Sequence, residues 1–294
     1  MMKKIGIFTN KDKDKDLAFT KSLMESIVSM GGNAYLLSDL SDEADAKNNG
    51  AIVDEMLSQC EIVFSLGGDG TFLRAARKVY QKGIPILGIN LGNLGFLTEI
   101  DVGDIHNAVT SIFQNKFEVE DRMMLEASII SSGKVTAKDV ALNDVVIARG
   151  YLPRIIRLKM YIDGVLTDTF PGDGLIVSTP TGSTAYSLAA GGPIVEPNTD
   201  LIIATPICPH ILYSRSYITP SDKVYRIDVN EDYHHIATVT VDGQAGYEIK
   251  AGDSIEVKKS QYAVKLVRIR KRNFFNVVRN KIYTRGESIR NNEV

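Results

Sequence analysis

Apolar residues run in short unbroken stretches through the first 120 residues of the chain and at alternate positions beyond them. Lys3 to Thr9, Ala34 to Leu37, Ile62 to Leu66 and Ile84 to Ile89 read as strands, and continuous apolar runs suit strands covered on both faces. Between them apolar positions recur at helical spacing. Leu17, Phe19, Leu23, Ile27 and Val28 form one set, and Gly31-Gly32 stops it. Ile52, Val53, Met56 and Leu57, then residues 72 to 82, then Ile105, Val109, Ile112 and Phe113 form three more. This alternation predicts an α/β domain with a mostly parallel, Rossmann-like sheet over residues 1–121. From about Arg122 strand signals dominate: Leu125 to Ile130, Ile155 to Ile162, Val165 to Phe170, Tyr225 to Val229, Ala237 to Val241 and Ala263 to Arg268. Asp163-Gly164 is a hairpin signal. A mostly antiparallel β domain over 122–270 is expected. A tail, 271–294, follows, with Phe274, Phe275, Val277 and Val278 interleaved among its basic residues Lys271 and Arg272. That interleaving predicts a segment docked on the first domain.

In a parallel sheet, ligands bind beyond the carboxyl ends of the strands. Gly67-Gly68-Asp69-Gly70-Thr71 stands at such an end, after Ile62 to Leu66, and Thr71 is the expected N-cap of the next helix. Glycines let a polyanion approach the backbone, and the N–H groups of a helix N-terminus favour phosphate. A carboxylate at the tip of that turn repels phosphate unless a metal or a hydroxyl proton lies between them. Asp69 is therefore the candidate base or metal partner of a phosphate transfer. Asn90 to Phe96 follows the fourth strand in the same way. The run Lys11 to Asp16, alternating Lys and Asp, reads as a solvated loop before the first helix.

Composition narrows the class. The 294 residues favour two domains, and 44% hydrophobic with 24% charged residues describes an ordinary globular chain. A net charge of −2 gives no support to nucleic acid or a membrane surface as partner. No apolar stretch approaches the roughly 20 residues needed to span a bilayer. The apolar run after Met1-Met2-Lys3-Lys4 is too short for an export signal, so a cytoplasmic place is expected. Cys60 and Cys208, and the four histidines His106, His210, His234 and His235, show no metal-ligand spacing. Neither a P-loop nor the usual dinucleotide-binding glycine turn occurs.

A second cluster spans Gly172 to Ser187, where six Ser/Thr hydroxyls, Asp173 and three glycines lie in 16 residues, followed by Gly191-Gly192-Pro193. Short hydroxyl side chains and free backbone N–H groups suit ribose and phosphate oxygens, and Thr184-Ala185-Tyr186 is expected to open a helix. Asn143 and Asp144 sit together inside the apolar run Ala141 to Ile147. Strand alternation would put them on opposite faces. Their donors and acceptors suit ribose hydroxyls or a base edge. Val241-Asp242-Gly243-Gln244 is by default a hairpin turn.

The order of these motifs resembles the NAD kinase family, enzymes that phosphorylate NAD to NADP. The resemblance rests on Gly67 to Thr71, Asn93-Leu94-Gly95-Phe96-Leu97, Leu142-Asn143-Asp144, Gly172 to Pro193 and Val241 to Gln244, and spans nearly the full length. It implies the same two-domain fold, Asp69 as general base on the 2′-hydroxyl of the adenosine ribose, and Gly67, Gly68, Gly70 and Thr71 as the phosphate-donor loop. It places Gly70 and Arg74 beside the base, with Arg74 facing phosphate. Asn143 and Asp144 would hold a ribose and the nicotinamide end. Thr184, Ala185, Tyr186, Ser187 and Ala189 would surround the adenosine. Arg154, Asp173 and Gln244 are further contact positions. Some members carry Ser where Ala189 stands. The resemblance also implies ATP or polyphosphate as donor, Mg²⁺ or Mn²⁺ bridging its phosphates, no metal ligand assigned on the chain, and a homodimer or homotetramer. The glycine turn is shared with diacylglycerol-type lipid kinases, and a non-catalytic module that senses NADP is the other alternative. Donor range, NAD against NADH preference, feedback and subunit count stay open.

Overall fold

A computed structural model describes residues 2–39, 50–92, 95–151, 154–230, 236–270 and 273–281. Asn93, Leu94, His234, His235, Lys271 and Arg272 lie outside the described residues, as does the tail beyond 281. The chain forms two compact units. One comprises Met1–Ala75, Ile84–Glu120 and Leu266–Val294, the other Ala76–Gly83 and Asp121–Lys265.

In the first unit, β1 (Lys4–Thr9) pairs in parallel with β2 (Asn33–Asp39) on one side and β3 (Ile62–Gly67) on the other, and β3 pairs with β4 (Ile86–Asn90). A short β5 (Ile100–Asp101) and the far end of the last strand, at Leu266, both join β4 in parallel. The helices α1 (Ala18–Ser29), α2 (Gly50–Ser58), α3 (Asp69–Val79) and α4 (Ile105–Phe113) alternate with these strands. Ile5, Ile7, Phe64, Leu66, Leu87 and Ile89 pack against Leu23 and Ile27 of α1 and Val109 and Ile112 of α4. Apolar burial on both sides of the sheet explains the unbroken apolar runs of its strands. The last turn of this core comes from Val267, over 150 residues beyond α4 in the chain.

The Lys/Asp run is not wholly solvated. Asp14 is buried, and its carboxylate accepts hydrogen bonds from the Phe19 and Thr20 amides and the Thr20 hydroxyl. It caps α1, whose own preceding residue, Leu17, has the left-handed φ of 55° and offers no side-chain cap. Thr71 is not an N-cap either. The Gly68 carbonyl already accepts from the Phe72 amide, so α3 starts at Asp69 and Thr71 lies in its first turn, its hydroxyl accepting from the Asn10 side chain at 3.3 Å.

The second unit is antiparallel. One sheet has the order β13-β12-β11-β8-β15-β16, built from β8 (Asp144–Arg149), β11 (Gly174–Ser178), β12 (Leu201–Ile207), β13 (Tyr217–Pro220), β15 (Ala237–Val241) and β16 (Ala245–Ile249). Beside it β9 (Ile156–Ile162) pairs with β10 (Val165–Gly172) and β14 (Tyr225–Val229), and β14 with β17 (Ser254–Arg268). β6 (Glu118–Ser131) and β7 (Lys134–Ala141) form a hairpin. Val145, Ile147, Leu175, Val177 and Val239 share one core with Leu158, Met160, Phe170, Tyr225 and Ile227. Val146 and Ile176 point the other way and pack with Ile207 and Ala190.

Replacing Asp14 by Ala strands two helix-end amides and leaves the Thr20 hydroxyl only its contact with Thr9. The expected cost is about 1–2 kcal/mol, read as a lower urea or thermal midpoint. An unchanged midpoint would show that the cap contributes nothing.

Candidate functional site

In the first unit the glycine turn is held by a carboxylate-to-backbone tie. Asp69 Oδ2 accepts from the Phe96 amide at 2.8 Å, and Oδ1 from the Leu97 amide at 3.0 Å and the Thr98 amide at 3.3 Å. The loop after β4 can come this close only because residue 95 is glycine: a β-carbon there would lie 1.7 Å from Asp69 Oδ1. The Gly95 amide is in turn bonded to the Thr98 hydroxyl at 2.8 Å. A β-carbon on Gly67 would lie 2.2 Å from the Thr71 hydroxyl, whereas Gly70 is exposed and meets nothing within 4 Å. The Asp69 side chain stays 31% exposed. A carboxylate has about four lone-pair positions, so three amides orient it and leave it able to accept one more proton donor. Arg74, one turn along α3, has a buried Nε with no hydrogen-bond partner. Residues 274–281 are helical, and Phe274 packs on Phe96 at 6.5 Å between ring centroids.

In the second unit the same kind of tie recurs. Asp242 is buried at the tip of the β15–β16 hairpin, in the left-handed region (φ 51°) together with Gly243 (φ 64°), the geometry of the tight turn that Asp-Gly predicts. Its carboxylate accepts from the Leu142, Asn143 and Asp144 amides at 2.8, 2.7 and 3.1 Å, and its own amide donates to the Asp144 carbonyl at 3.0 Å. Leu142 and Asn143 thus leave the strand ladder, and Asn143 and Asp144 do not alternate across one strand as expected. Asn143 joins β7 to β8, half-buried, and Asp144 is the buried first residue of β8.

The hydroxyl-rich segment closes on the same place. The Thr179 hydroxyl donates to the Leu142 carbonyl at 2.6 Å, and the Thr179 amide to the Asn143 carbonyl at 2.9 Å. Gly182 packs so tightly that a β-carbon would lie 2.1 Å from the Asn143 carbonyl oxygen. Thr181–Thr184 is a 3₁₀ turn, and Ala185, at φ −97° and ψ −128°, breaks it before the single turn Tyr186–Ala189, labelled α5. No continuous helix opens at Thr184, because the Ala185 backbone is not helical. Ser178 faces Asp144 across β11 and β8, and the hydroxyls of Ser178 and Thr181 are buried without a partner.

The structure therefore brings together Asn143, Asp144, Tyr186 and the Thr181–Thr184 turn, through Thr179, Gly182 and Asp242. Gln244 is half-buried two residues beyond Asp242, its amide donating to the Val241 carbonyl at 3.0 Å. Tyr186 and Ala189 are exposed. The Ser187 hydroxyl instead turns inward to Thr205 at 3.1 Å. Asp173 is engaged by Arg149 at 2.6 Å, and Arg154 lies exposed. Asp242 was legible only as a hairpin residue, and the signal was its place in the V-D-G-Q run.

Asp144 and Asp242 cannot both carry a charge cheaply. Burial pushes the Asp144 carboxyl up to about 7, Asp242 pushes it further in the same direction, and the Tyr186 amide opposes them. Burial also raises Asp242, and three amides and the charge of Arg77 offset part of that rise. With three amide donors on Asp242 against one on Asp144, the proton of the pair resides on Asp144.

Two outcomes follow. Gly95→Ala should lower turnover by roughly 100-fold or more, since the Asp69 loop cannot re-form around a methyl group; near-normal turnover would remove that loop from catalysis. Unfolded Asp titrates near 3.9, so the native chain holds a proton on Asp144 that the unfolded chain has lost between about pH 4 and 7, and stability falls as pH rises through that window. Asp144→Asn should therefore raise the melting temperature at pH 8 more than at pH 5. A gain equal at both pH values would mean that Asp144 titrates normally.

Comparison with known proteins gives the family. Residues 9–117 match the model of the ATP-NAD kinase N-terminal domain, and residues 142–269 that of the ATP-NAD kinase C-terminal domain. The NAD kinase of Acetivibrio thermocellus is 53% identical over 289 residues, covering 98% of this chain and 100% of the relative. That of Ruminiclostridium cellulolyticum is 53% identical over 287 residues, covering 97% and 100%. Among solved structures, yeast NADH kinase complexed with NADH superposes with a TM-score of 0.78 at 24% identity, covering 96% of this chain and 88% of that one. An NAD kinase from Archaeoglobus fulgidus in complex with ATP gives 0.72 at 23%, covering 95% and 98%. The chain therefore belongs to the NAD kinase family.

Proposed function

We propose that the chain transfers the γ-phosphoryl of ATP to the 2′-hydroxyl of the adenosine ribose of NAD, giving NADP. The observation that carries this reading is the Asp69 carboxylate, fixed by three amides just past the carboxyl end of a parallel strand and still able to accept one proton. The family models, described as ATP-NAD kinase, make ATP the first donor to try; inorganic polyphosphate is the second. Phosphoryl transfer passes through a loose transition state, so position and charge matter more than nucleophile strength. Asp69 orients the hydroxyl and takes its proton late in the step.

The other contacts are assigned on the same reading. Arg74 faces phosphate, which would satisfy its buried Nε. Asn143 and Asp144 hold a ribose and the nicotinamide end, Asp144 as a hydrogen-bond donor while it keeps its proton. Thr184, Ala185, Tyr186 and Ala189 line the adenosine, and the orphaned Ser178 and Thr181 hydroxyls offer it hydrogen bonds. Ser187 acts through its backbone, its hydroxyl being spent on Thr205. Arg154, Asp173 and Gln244 are peripheral contacts. Among the described residues no group of three or more His, Cys, Asp or Glu side chains could hold a metal ion. A divalent Mg²⁺ or Mn²⁺ would be held largely by the donor's phosphates and water, adding charge neutralisation. A homodimer or homotetramer and a cytoplasmic place complete the reading.

The test is to incubate the purified chain with NAD, ATP and Mg²⁺ and to follow NADP with an NADP-specific dehydrogenase. Asp69→Asn should lose 100-fold or more of turnover, on the order expected for a proton acceptor, while NAD binding by calorimetry persists. An Asn variant with normal turnover would exclude Asp69 as base. Tight NAD binding with no NADP from either donor would favour a sensing module.

A further inference from the structure

Two lysines outside the family motifs stand against the glycine turn. Lys281 Nζ lies 3.9 Å from Asp69 Oδ2 and 4.5 Å from the centroid of the Phe96 ring. Lys13 reaches the turn from the Lys/Asp run, and a β-carbon built on Gly68 would lie 3.1 Å from its Nζ. We propose that Lys13 and Lys281 are the chain's own cations for the donor's terminal phosphates, Lys13 over Gly68 and Lys281 beside the base.

A hydroxyl bound to Asp69 attacks phosphorus from about 3 Å, so the transferring group passes within a few ångströms of an ionised carboxylate. Two like charges at such a distance repel strongly near a protein surface. Backbone amides of the turn offset part of this, but three neighbouring amides are already spent on Asp69. An ammonium 3.9 Å from Oδ2 is too far for a direct hydrogen bond and near enough to share its field with a phosphoryl oxygen. Phe96 makes this placement specific. Its amide is one of the three that hold Asp69, and its ring takes Lys281 by a cation–π contact while Phe274, on the same helical segment as Lys281, packs against it. Lys13 is placed as deliberately. Its amide and that of Asp14 both donate to the Asn10 carbonyl, and the Asp12 amide to the Asn10 side chain. Buried Asp14 anchors that turn from below, so the exposed Lys13 is aimed at the glycines rather than left on a free loop.

In the reaction the bond between the γ-phosphorus and the β–γ bridging oxygen breaks, and the ribose 2′-oxygen bonds to that phosphorus. The hydroxyl proton passes to Asp69, and ADP leaves with the bond's electron pair. The lysines exchange no proton and supply charge only. This inference rests on the kinase reading, and its test separates the two.

Lys13→Ala, Lys281→Ala, the double variant and the two Lys→Arg variants would be assayed with NAD and ATP, and inorganic tripolyphosphate binding would be measured by calorimetry. Each Ala change should lower kcat/KM for ATP by roughly tenfold or more, the size of a hydrogen bond to a charged group. KM for NAD should move less than about twofold, and the Arg variants should recover most of the loss. Tripolyphosphate should bind the parent and not the double variant. A parent that makes NADP while the Ala variants keep its kcat/KM for ATP would overturn the proposal. So would a faster Lys281→Ala, which would make that lysine a cover over Asp69. If the parent makes no NADP, the kinase reading fails first. Tripolyphosphate binding then decides alone: lost in the double variant it upholds the lysine clamp, and unchanged it overturns it.

Discussion

Each unit of this protein is organised by one aspartate that accepts three consecutive backbone amides. Asp69 takes those of Phe96, Leu97 and Thr98, and Asp242 those of Leu142, Asn143 and Asp144. The amides belong to chain that has left regular structure and would otherwise be unsatisfied, which costs about 1–3 kcal/mol for each buried group. A carboxylate is the side chain that can take several such donors at once. The device solves a general difficulty of binding sites, which need irregular backbone held rigidly. It also fixes what else must be present: Gly95 and Gly182 are small because a carboxylate or a carbonyl occupies the volume a side chain would fill.

The two aspartates serve different ends. Asp69 is partly exposed and keeps a lone-pair position open. Asp242 is buried and spends itself on positioning, and its charge adds to the burial that raises its neighbour. Burial first and Asp242 second raise the Asp144 carboxyl to about 7, so below that pH it donates a hydrogen bond as well as accepting them.

Much of this was legible in the chain. The strands Tyr225–Val229 and Ala237–Val241 are read end for end from alternation, and the glycine turn at the end of β3 from apolar run followed by helix period. What escaped depends on partners distant in sequence. The Asp14 bonds are local, yet a Lys/Asp alternation carries no sign of which carboxylate turns inward. Asp242 looked like a turn residue because it is one, and its second role needs residues about 100 positions earlier. Asn143 followed the apolar run in pattern, but its amide goes to a carboxylate rather than to a neighbouring strand.

That separation has a consequence for how the molecule comes into being. A ribosome adds about 5–20 residues per second, so the Leu142–Asp144 segment exists for roughly 5–20 s before Asp242 emerges to receive its amides. The first unit waits longer still, since Leu266 pairs with Ile86 at the edge of β4 and Val267 completes its core. Neither unit can finish in the order of its synthesis. The nascent chain must carry an open sheet edge and incomplete apolar packing until nearly its last residues are made, and the closing of the fold and the assembly of its binding machinery fall at the same late moment.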